Sequence, residues 1–167
     1  DASPWGIGGI VMINTVIVVY FFDRITADDV RILEATTGTS SGQQVWEALA
    51  SLVALRIWSK YWNEGRCQLA VRSDNMTTCV LMEDLKGKSP GLRTIAAEVA
   101  MDIARATHEP DIIEHTPGIQ NKIPDALSRM REPGQTTTIP QVLSSVTQYS
   151  PPRRDDQWWV SLHPPDP

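Results

Sequence analysis

The sequence predicts an α/β fold in which a mixed central sheet is flanked by helices, and three observations support this prediction. Residues 1–22 are Gly-rich and then β-branched, with a turn signal at Asn14-Thr15, a pattern typical of a β-hairpin. Residues 43–62 contain no Gly or Pro and are apolar around most of a helical circumference. Beyond them, short β-type segments alternate with helical patterns, as in folds where helices connect parallel strands.

The first half of the chain is expected to contain a short helix, a link and a long buried helix. Thr26 is a suitable N-cap for a helix over residues 26–35, and the negative charge of Asp28 in the first turn interacts favourably with the positive end of the helix dipole. Residues 36–42, with the sequence TTGTSSG, are expected to be a flexible link. The apolar helix over residues 43–62 follows and is expected to lie at the centre of the domain.

After this helix, strands and helices are expected to alternate. The predicted elements are a strand at 67–73, a helix directly after Asp74, a helix from Ser89-Pro90 to 108–110, a strand at 111–115, a turn at 116–118 and a helix at 124–130. Leu69 and Val71 alternate with polar neighbours, which favours the first of these strands. Pro90 at the first helical position, after Ser89 as the cap, favours the long helix.

The composition changes at about residue 131. Residues 1–131 are enough for one domain with its own core, whereas residues 132–167 are rich in Pro, Ser, Thr and Gln without periodicity and are expected to be a linker or a disordered tail. Trp158 and Trp159 within this segment are either a docking motif, the start of a further domain or isolated aromatics in a disordered tail. Because the chain opens on Asp1 rather than Met, we expect it to be a piece of a longer protein.

Charge and cysteine content exclude several classes of protein. Cys67 and Cys79 cannot build a disulfide framework and are expected to be reduced thiols, and no apolar stretch is long enough to cross a membrane. The net charge of −5 neither supports nor excludes a nucleic-acid partner, because divalent cations would neutralise an acidic cluster. Lys86, Lys88 and Arg93 are candidates for a local phosphate-facing patch.

Two carboxylates stand out from the residue pattern alone. Asp74 follows a predicted strand and precedes a predicted helix, where ligands gather in α/β folds; alternatively, it is a simple helix cap. Glu47 lies on the central helix, where Arg56 is the only other charged side chain between Val45 and Trp58. A buried carboxylate is costly unless a cation or hydrogen bonds compensate it, so Glu47 is a candidate metal ligand. Alternatively, Glu47 lies on a narrow solvated stripe near the helix start.

Four motifs occur in an order that resembles a known family. They are DASPWGIGG at residues 1–9, QVWEAL at 44–49, SDN at 73–75 and NKIPDALSR at 121–129. Together they resemble the ribonuclease H domain of retrotransposon (gypsy-like or related) reverse transcriptase polyproteins, over residues 1 to about 131. The resemblance implies a ribonuclease H-like fold for residues 1–131.

The same resemblance implies a set of site residues. The acidic tetrad of the family would be Asp1, Glu47, Asp74 and Asp125, which would hold two Mg²⁺ or Mn²⁺ ions. His115 lies ten residues before Asp125, the spacing of a mobile histidine in cellular ribonucleases H; alternatively, it is an ordinary surface side chain. Three further residues are candidate contacts to the substrate: Asn75, Thr77 and Asn121. The alternative for Thr77 is helix capping or packing, and the alternative for Asn121 is ordering of the turn before the last helix.

The implied activity is endonucleolytic hydrolysis of the RNA strand of RNA/DNA hybrids during reverse transcription, leaving 5′-phosphate products. Expected partners are the RNA/DNA hybrid and an adjacent reverse transcriptase polymerase domain in the same polyprotein, with no membrane partner. The expected location is the cytoplasm, a virus-like particle or the nucleus. One alternative is a catalytically inactive scaffold of a decayed retroelement. A second is an integrase or transposase, which the place of Glu47 before the second acidic strand disfavours.

The sequence departs from the family in two places. Asp1 is the first residue, whereas the family aspartate lies partway along the first strand, so we expect Asp1 to lie on a first catalytic strand that is truncated at its N-terminus. A helix and a Gly-Ser link also stand between the hairpin and Glu47, where a third strand is expected.

Overall fold

The computed structural model describes residues 1–63, 67–105, 110–134 and 136–163. The strands are β1 (Gly6–Ile13), β2 (Val16–Arg24), β3 (Ala70–Ser73), β4 (Ile112–His115) and β5 (Thr147–Tyr149). The α-helices are α1 (Ala27–Leu33), α2 (Ser40–Ile57), α3 (Lys60–Asn63), α4 (Met76–Asp84), α5 (Pro90–Arg105) and α6 (Lys122–Ser128). Short 3₁₀ turns lie at Gly118–Gln120, Gln141–Leu143 and Val160–Leu162.

The predicted α/β class and the mixed sheet are confirmed, but the described strands form two sheets rather than one. The first sheet has the order β1-β2-β5, with β1 antiparallel and β5 parallel to β2, and the second pairs β3 with β4 in parallel. Residues beside β1 account for part of this separation. The Gly8 N–H donates to the Asp1 carbonyl, and the Asp1 α-ammonium donates to the Gly8 carbonyl, both at 3.0 Å. Asp1 therefore satisfies backbone hydrogen-bonding groups at this edge of β1 that another strand would otherwise pair with.

The N-terminal hairpin is confirmed. Ile13 pairs with Val16 across Asn14 and Thr15, which both have positive φ angles of 48° and 70°. Two residues with positive φ match the right-handed twist of the two strands that they connect. Gly8 lies farther along β1, where a Cβ atom would come within 2.6 Å of the Leu127 Cβ. A glycine at this position therefore lets α6 pack directly on β1.

The central helix is also confirmed, with different ends. Thr39 caps α2 by accepting a hydrogen bond from the Gly42 N–H at 3.1 Å, so the helix begins inside the predicted flexible link. It ends at Ile57, and α3 follows as a separate turn of helix. Its side chains fill the main core together with β1, β2 and α5; the fully buried members include Ile7, Phe21, Trp46, Leu49, Leu52 and Ile95.

The other predicted elements are present with shifted bounds. The first short helix is α1, the strands are β3 and β4, and the helices after them are α4, α5 and α6. Ser89 caps α5 as expected, with its Oγ accepting from the Leu92 N–H at 3.3 Å. The expected end of α5 at 108–110 lies mostly outside the described residues. In the described part of the chain, no helix has the length and apolar character that a membrane crossing needs.

The segment after residue 131 differs from the predicted linker or disordered tail. Its strand β5 extends the first sheet, and Trp159 has 0% and Arg154 1% of its surface exposed. The N–H groups of Val160 and Ser161 donate to the buried carboxylate of Glu98 on α5, at 3.1 and 2.6 Å. Residues 136–163 thus pack against the described part of residues 1–131. Although the segment lacks hydrophobic periodicity, Trp159 is buried in the main core and Arg154 pairs with the buried Asp29.

Candidate metal centre

Three of the predicted acidic residues meet at one point. Asp1 precedes β1, Glu47 lies on α2 and Asp74 follows the last residue of β3, and one carboxylate oxygen of each lies within 4.8 Å of the other two. The sequence positions are far apart, so the sheet and the central helix bring them together. Oxygen ligands at this separation suit a hard divalent cation such as Mg²⁺ or Mn²⁺.

Glu47 is the most deeply placed of the three. It is 6% exposed, and its Oε2 has no hydrogen-bond partner within the described part of the chain. Burial raises the pKa of Glu47, the nearby α-ammonium of Asp1 lowers it, and the charge of Asp74 raises it further. The net direction is upward, so the charged form of Glu47 lacks full compensation. A bound cation would coordinate this oxygen, which accepts no hydrogen bond, and the site therefore fits a divalent metal.

Asp1 is held by backbone and side-chain contacts rather than by a strand. Its α-ammonium donates to the Gly8 carbonyl at 3.0 Å and lies 3.9 Å from Glu47 Oε2. Asn121, just before α6, donates a short hydrogen bond from Nδ2 to Asp1 Oδ2. The expected position of Asp1 on the first catalytic strand is therefore corrected: Asp1 lies before β1, and the neighbouring Ala2 makes a single antiparallel bridge to Ile7.

Asp74 lies between β3 and the loop after β4. A Cβ atom at Gly118 would lie 3.3 Å from Asp74 Oδ2, so the 3₁₀ turn passes close to this carboxylate. The parallel register places His115 beside Ser73, and His115 Nε2 lies 3.0 Å from the Asp74 backbone carbonyl. Because a carbonyl only accepts, this nitrogen carries the proton. His115 thus lies next to the site but is exposed and contacts the backbone of Asp74, not its carboxylate.

Asp125, the fourth member of the expected tetrad, does not join the other three. Its side chain is 47% exposed, and its Oδ1 accepts from Arg129 Nε at 3.0 Å, one helical turn later on α6. An ion pair at this spacing is a common local arrangement on a helix. The described carboxylates therefore form a group of three, with Asn121 as the contact from the α6 region.

The three substrate candidates have different environments. Asn75 caps α4, since its Oδ1 accepts from the Thr78 N–H at 3.1 Å; the sequence had suggested this capping role for Asp74 instead. Thr77 is half-buried in the first turn of α4. Asn121 donates a hydrogen bond to Asp1 and therefore lies at the site formed by Asp1, Glu47 and Asp74.

Gln43 is a site residue that the sequence analysis missed. Its Nε2 donates to the Ala2 carbonyl at 2.7 Å and to Glu47 Oε1 at 3.1 Å, so it ties the segment of Asp1 to α2. The sequence contains a signal for this contact, because Gln43 lies four residues before Glu47 and the two side chains share one helix face.

Replacing Gln43 by Leu is expected to weaken Mn²⁺ binding by about ten-fold, because residues that orient metal ligands typically contribute 10–100-fold to affinity. Isothermal titration with Mn²⁺ measures the effect. The matched control is Gln44→Leu, since Gln44 is the exposed next residue on the same helix. Equal affinity in both variants would contradict a positioning role for Gln43.

No family model matches the chain, and neither the curated proteins nor the solved structures contain a match to it. The assignment of a function therefore depends on the geometry of the carboxylates and on the order of the sequence motifs.

Proposed function

We propose that the chain is a metal-dependent nuclease of the ribonuclease H type, which hydrolyses the RNA strand of RNA/DNA hybrids in a retrotransposon reverse transcriptase polyprotein. The observation that carries this proposal is the convergence of Asp1, Glu47 and Asp74 around the buried Glu47 Oε2, which accepts no hydrogen bond within the described residues. The ordered motifs on which these residues lie provide the link to hybrid cleavage. The proposed partners are the hybrid and an adjacent polymerase domain.

The donor set is consistent with phosphodiester chemistry. Asp1, Glu47 and Asp74 would hold the metal, and Asp125 on the neighbouring α6 is a candidate for a second ion only if it leaves Arg129. Two divalent cations, when bound, supply activation of water and stabilisation of a leaving 3′ oxygen, which gives 5′-phosphate products. The chain itself contributes orientation: Gln43 holds Glu47, and Asn121 holds Asp1.

His115 has a place in this proposal as a group beside the reaction centre. Its Nε2 donates to the Asp74 carbonyl, while the exposed ring leaves Nδ1 accessible to solvent. A histidine at this position is a candidate for exchanging a proton with a departing product. The hydrogen bond to the Asp74 backbone carbonyl holds His115 beside the three carboxylates.

The test is cleavage of an end-labelled RNA/DNA hybrid with Mg²⁺ or Mn²⁺. We expect the RNA strand alone to be cut, EDTA to stop cutting, and Asp74→Asn to reduce the rate by roughly 100-fold or more, because loss of a ligand removes several kcal/mol of charge stabilisation. Asp84→Asn is the control with the same change of charge, since Asp84 is exposed at the far end of α4. It is expected to cut at the normal rate.

Two proteins that differ at the N-terminus are compared in this assay. The α-ammonium of Asp1 lies 3.9 Å from Glu47 and competes with a cation for that carboxylate. One form therefore begins at Asp1, and a second form carries residues ahead of Asp1, so that a neutral peptide bond replaces the ammonium. A folded protein that binds the hybrid without cutting it in either form would favour the inactive scaffold.

A further inference from the structure

A cleft beside the turn that carries Trp5 is lined by residues that take no part in the candidate metal centre. It has a volume of about 490 Å³ and lies between the turn before β1, the end of β2 and the residues after α6. Trp5, Arg24 and Arg131 line it, and no acidic residue is among its described lining residues. This volume lies within the range of clefts that take a small organic ligand.

The three side chains are brought together by fixed contacts. Ser3 is buried, and its Oγ accepts from the N–H groups of Trp5 and Gly6, both at 3.2 Å, so it holds the turn that carries Trp5. The same Oγ donates to the Ser128 carbonyl at 2.7 Å, which joins this turn to the end of α6. The strand register pairs Gly6 with Arg24, and this places Trp5 near the end of β2.

The two arginines differ from most others in the molecule. Among the described residues, six arginines form ion pairs with carboxylates: Arg31, Arg56, Arg72, Arg129, Arg153 and Arg154. Arg24 and Arg131 are exposed and have no carboxylate within ion-pair distance among the described residues. The Arg131 guanidinium instead lies 5.4 Å from the Phe22 ring centroid. Two unpaired guanidinium groups in a protein of net charge −5 are well suited to an anion.

We propose that this cleft binds one unpaired nucleotide of a nucleic-acid strand, with the base against the Trp5 indole and a phosphate between Arg24 and Arg131. An indole offers a flat surface to any base, and arginines match phosphate oxygens through several N–H groups. The choice of nucleic acid as the ligand rests on the proposed function. Since Asp1 lies four residues before Trp5, the cleft would hold a strand close to the metal centre.

The test is fluorescence anisotropy with a short fluorescein-labelled single-stranded oligonucleotide in EDTA, so that no metal and no cleavage are needed. Trp5→Leu is expected to weaken binding by about 5- to 100-fold, the range for loss of one stacked base, without changing the salt dependence. Trp5→Phe keeps an aromatic ring and is expected to retain most of the affinity. Circular dichroism melting verifies that each variant folds.

The arginines are tested together. The double variant Arg24→Gln/Arg131→Gln is expected to weaken binding by at least about ten-fold and to lower the slope of log affinity against log salt by about 0.7, the value for one phosphate contact on a single strand. The control is Arg72→Gln/Arg153→Gln, which removes the same charge from exposed ion pairs elsewhere. Losses no larger than in this control, or an unchanged affinity in Trp5→Leu, would overturn the proposal.

These outcomes separate the cleft from the nuclease. If the wild-type protein cuts the hybrid but the cleft variants bind the oligonucleotide normally, the cleft proposal alone fails. If the cleft variants lose binding and the wild-type protein does not cut with metal, the cleft stands and the nuclease proposal fails.

Discussion

Replacing Arg154 by Leu is expected to lower the free energy of unfolding by about 3–5 kcal/mol, the usual cost of removing one partner of a buried ion pair. Arg154 donates to Asp29 from Nε and Nη2, both at 2.9 Å, and to Asp23 from Nη1 at 2.6 Å. Burial lowers the pKa of Arg154, but the hydrogen bonds and charge of Asp29 and Asp23 outweigh burial and raise it overall. The Leu variant leaves the fully buried Asp29 without its cation.

Urea unfolding followed by circular dichroism measures this loss, and the neighbouring residue provides the control. Arg153 is 80% exposed and makes a longer contact of 3.7 Å to Asp28, so Arg153→Leu is expected to change stability by less than about 0.5 kcal/mol. A double variant, Arg154→Leu/Asp29→Asn, removes the unpaired charge and keeps an oxygen for the Thr26 N–H, so part of the stability is expected to return. Equal stability of the Arg154→Leu and Arg153→Leu proteins would contradict docking of residues 136–163.

Replacing Glu47 by Gln is expected to have opposite effects on the metal-free and metal-loaded protein. The Glu47 carboxylate is nearly buried, and its Oε2 accepts no hydrogen bond within the described residues. In the form that carries residues ahead of Asp1, which lacks the α-ammonium 3.9 Å from this oxygen, the neutral amide is therefore expected to raise the melting temperature in EDTA. The same change removes a central ligand and is expected to abolish the stabilisation by Mn²⁺. In the wild-type protein, that stabilisation is about 2.7 kcal/mol at 100 times the dissociation constant.

Thermal unfolding with and without Mn²⁺ measures both effects. In the Glu47→Gln protein, the oxygen of the new side-chain amide still accepts from Gln43, so the fold around α2 is expected to persist. The control is Glu34→Gln, because Glu34 is an exposed carboxylate after α1, outside the metal group, and this variant is expected to respond to Mn²⁺ like the wild type. An Mn²⁺-dependent rise in the Glu47→Gln protein equal to that of the wild type would exclude Glu47 as a ligand.

The candidate metal centre was partly predictable from the sequence. Glu47 is isolated on an apolar helix, and Asp74 stands between a strand and a helix, so local pattern alone marked both as candidates. Asp1 required the resemblance of its motif to a family. Asp125 satisfies its own motif, yet its carboxylate pairs with Arg129 one helical turn later, a local alternative that the motif does not reveal.

The docked C-terminal segment was not predictable in the same way. Residues 132–167 lack hydrophobic periodicity, so composition favours disorder. Arg154 and Trp159 nevertheless have 1% and 0% of their surface exposed. The hydrogen-bond partners of this segment include Asp29 on α1 and Glu98 on α5, which lie far earlier in the chain, and no local pattern records such a match.

The sequence by itself determined the types of the main elements: the hairpin, the central helix that carries Glu47 and the strand that precedes Asp74. It did so because hydrophobic periodicity and capping residues act over a few neighbouring positions. Only the tertiary structure decided that Asp1, Glu47 and Asp74 share one site without Asp125, and that a Pro-rich segment completes the domain. The physical reason is that buried charges are matched in three dimensions, between residues whose separation along the chain carries no signal.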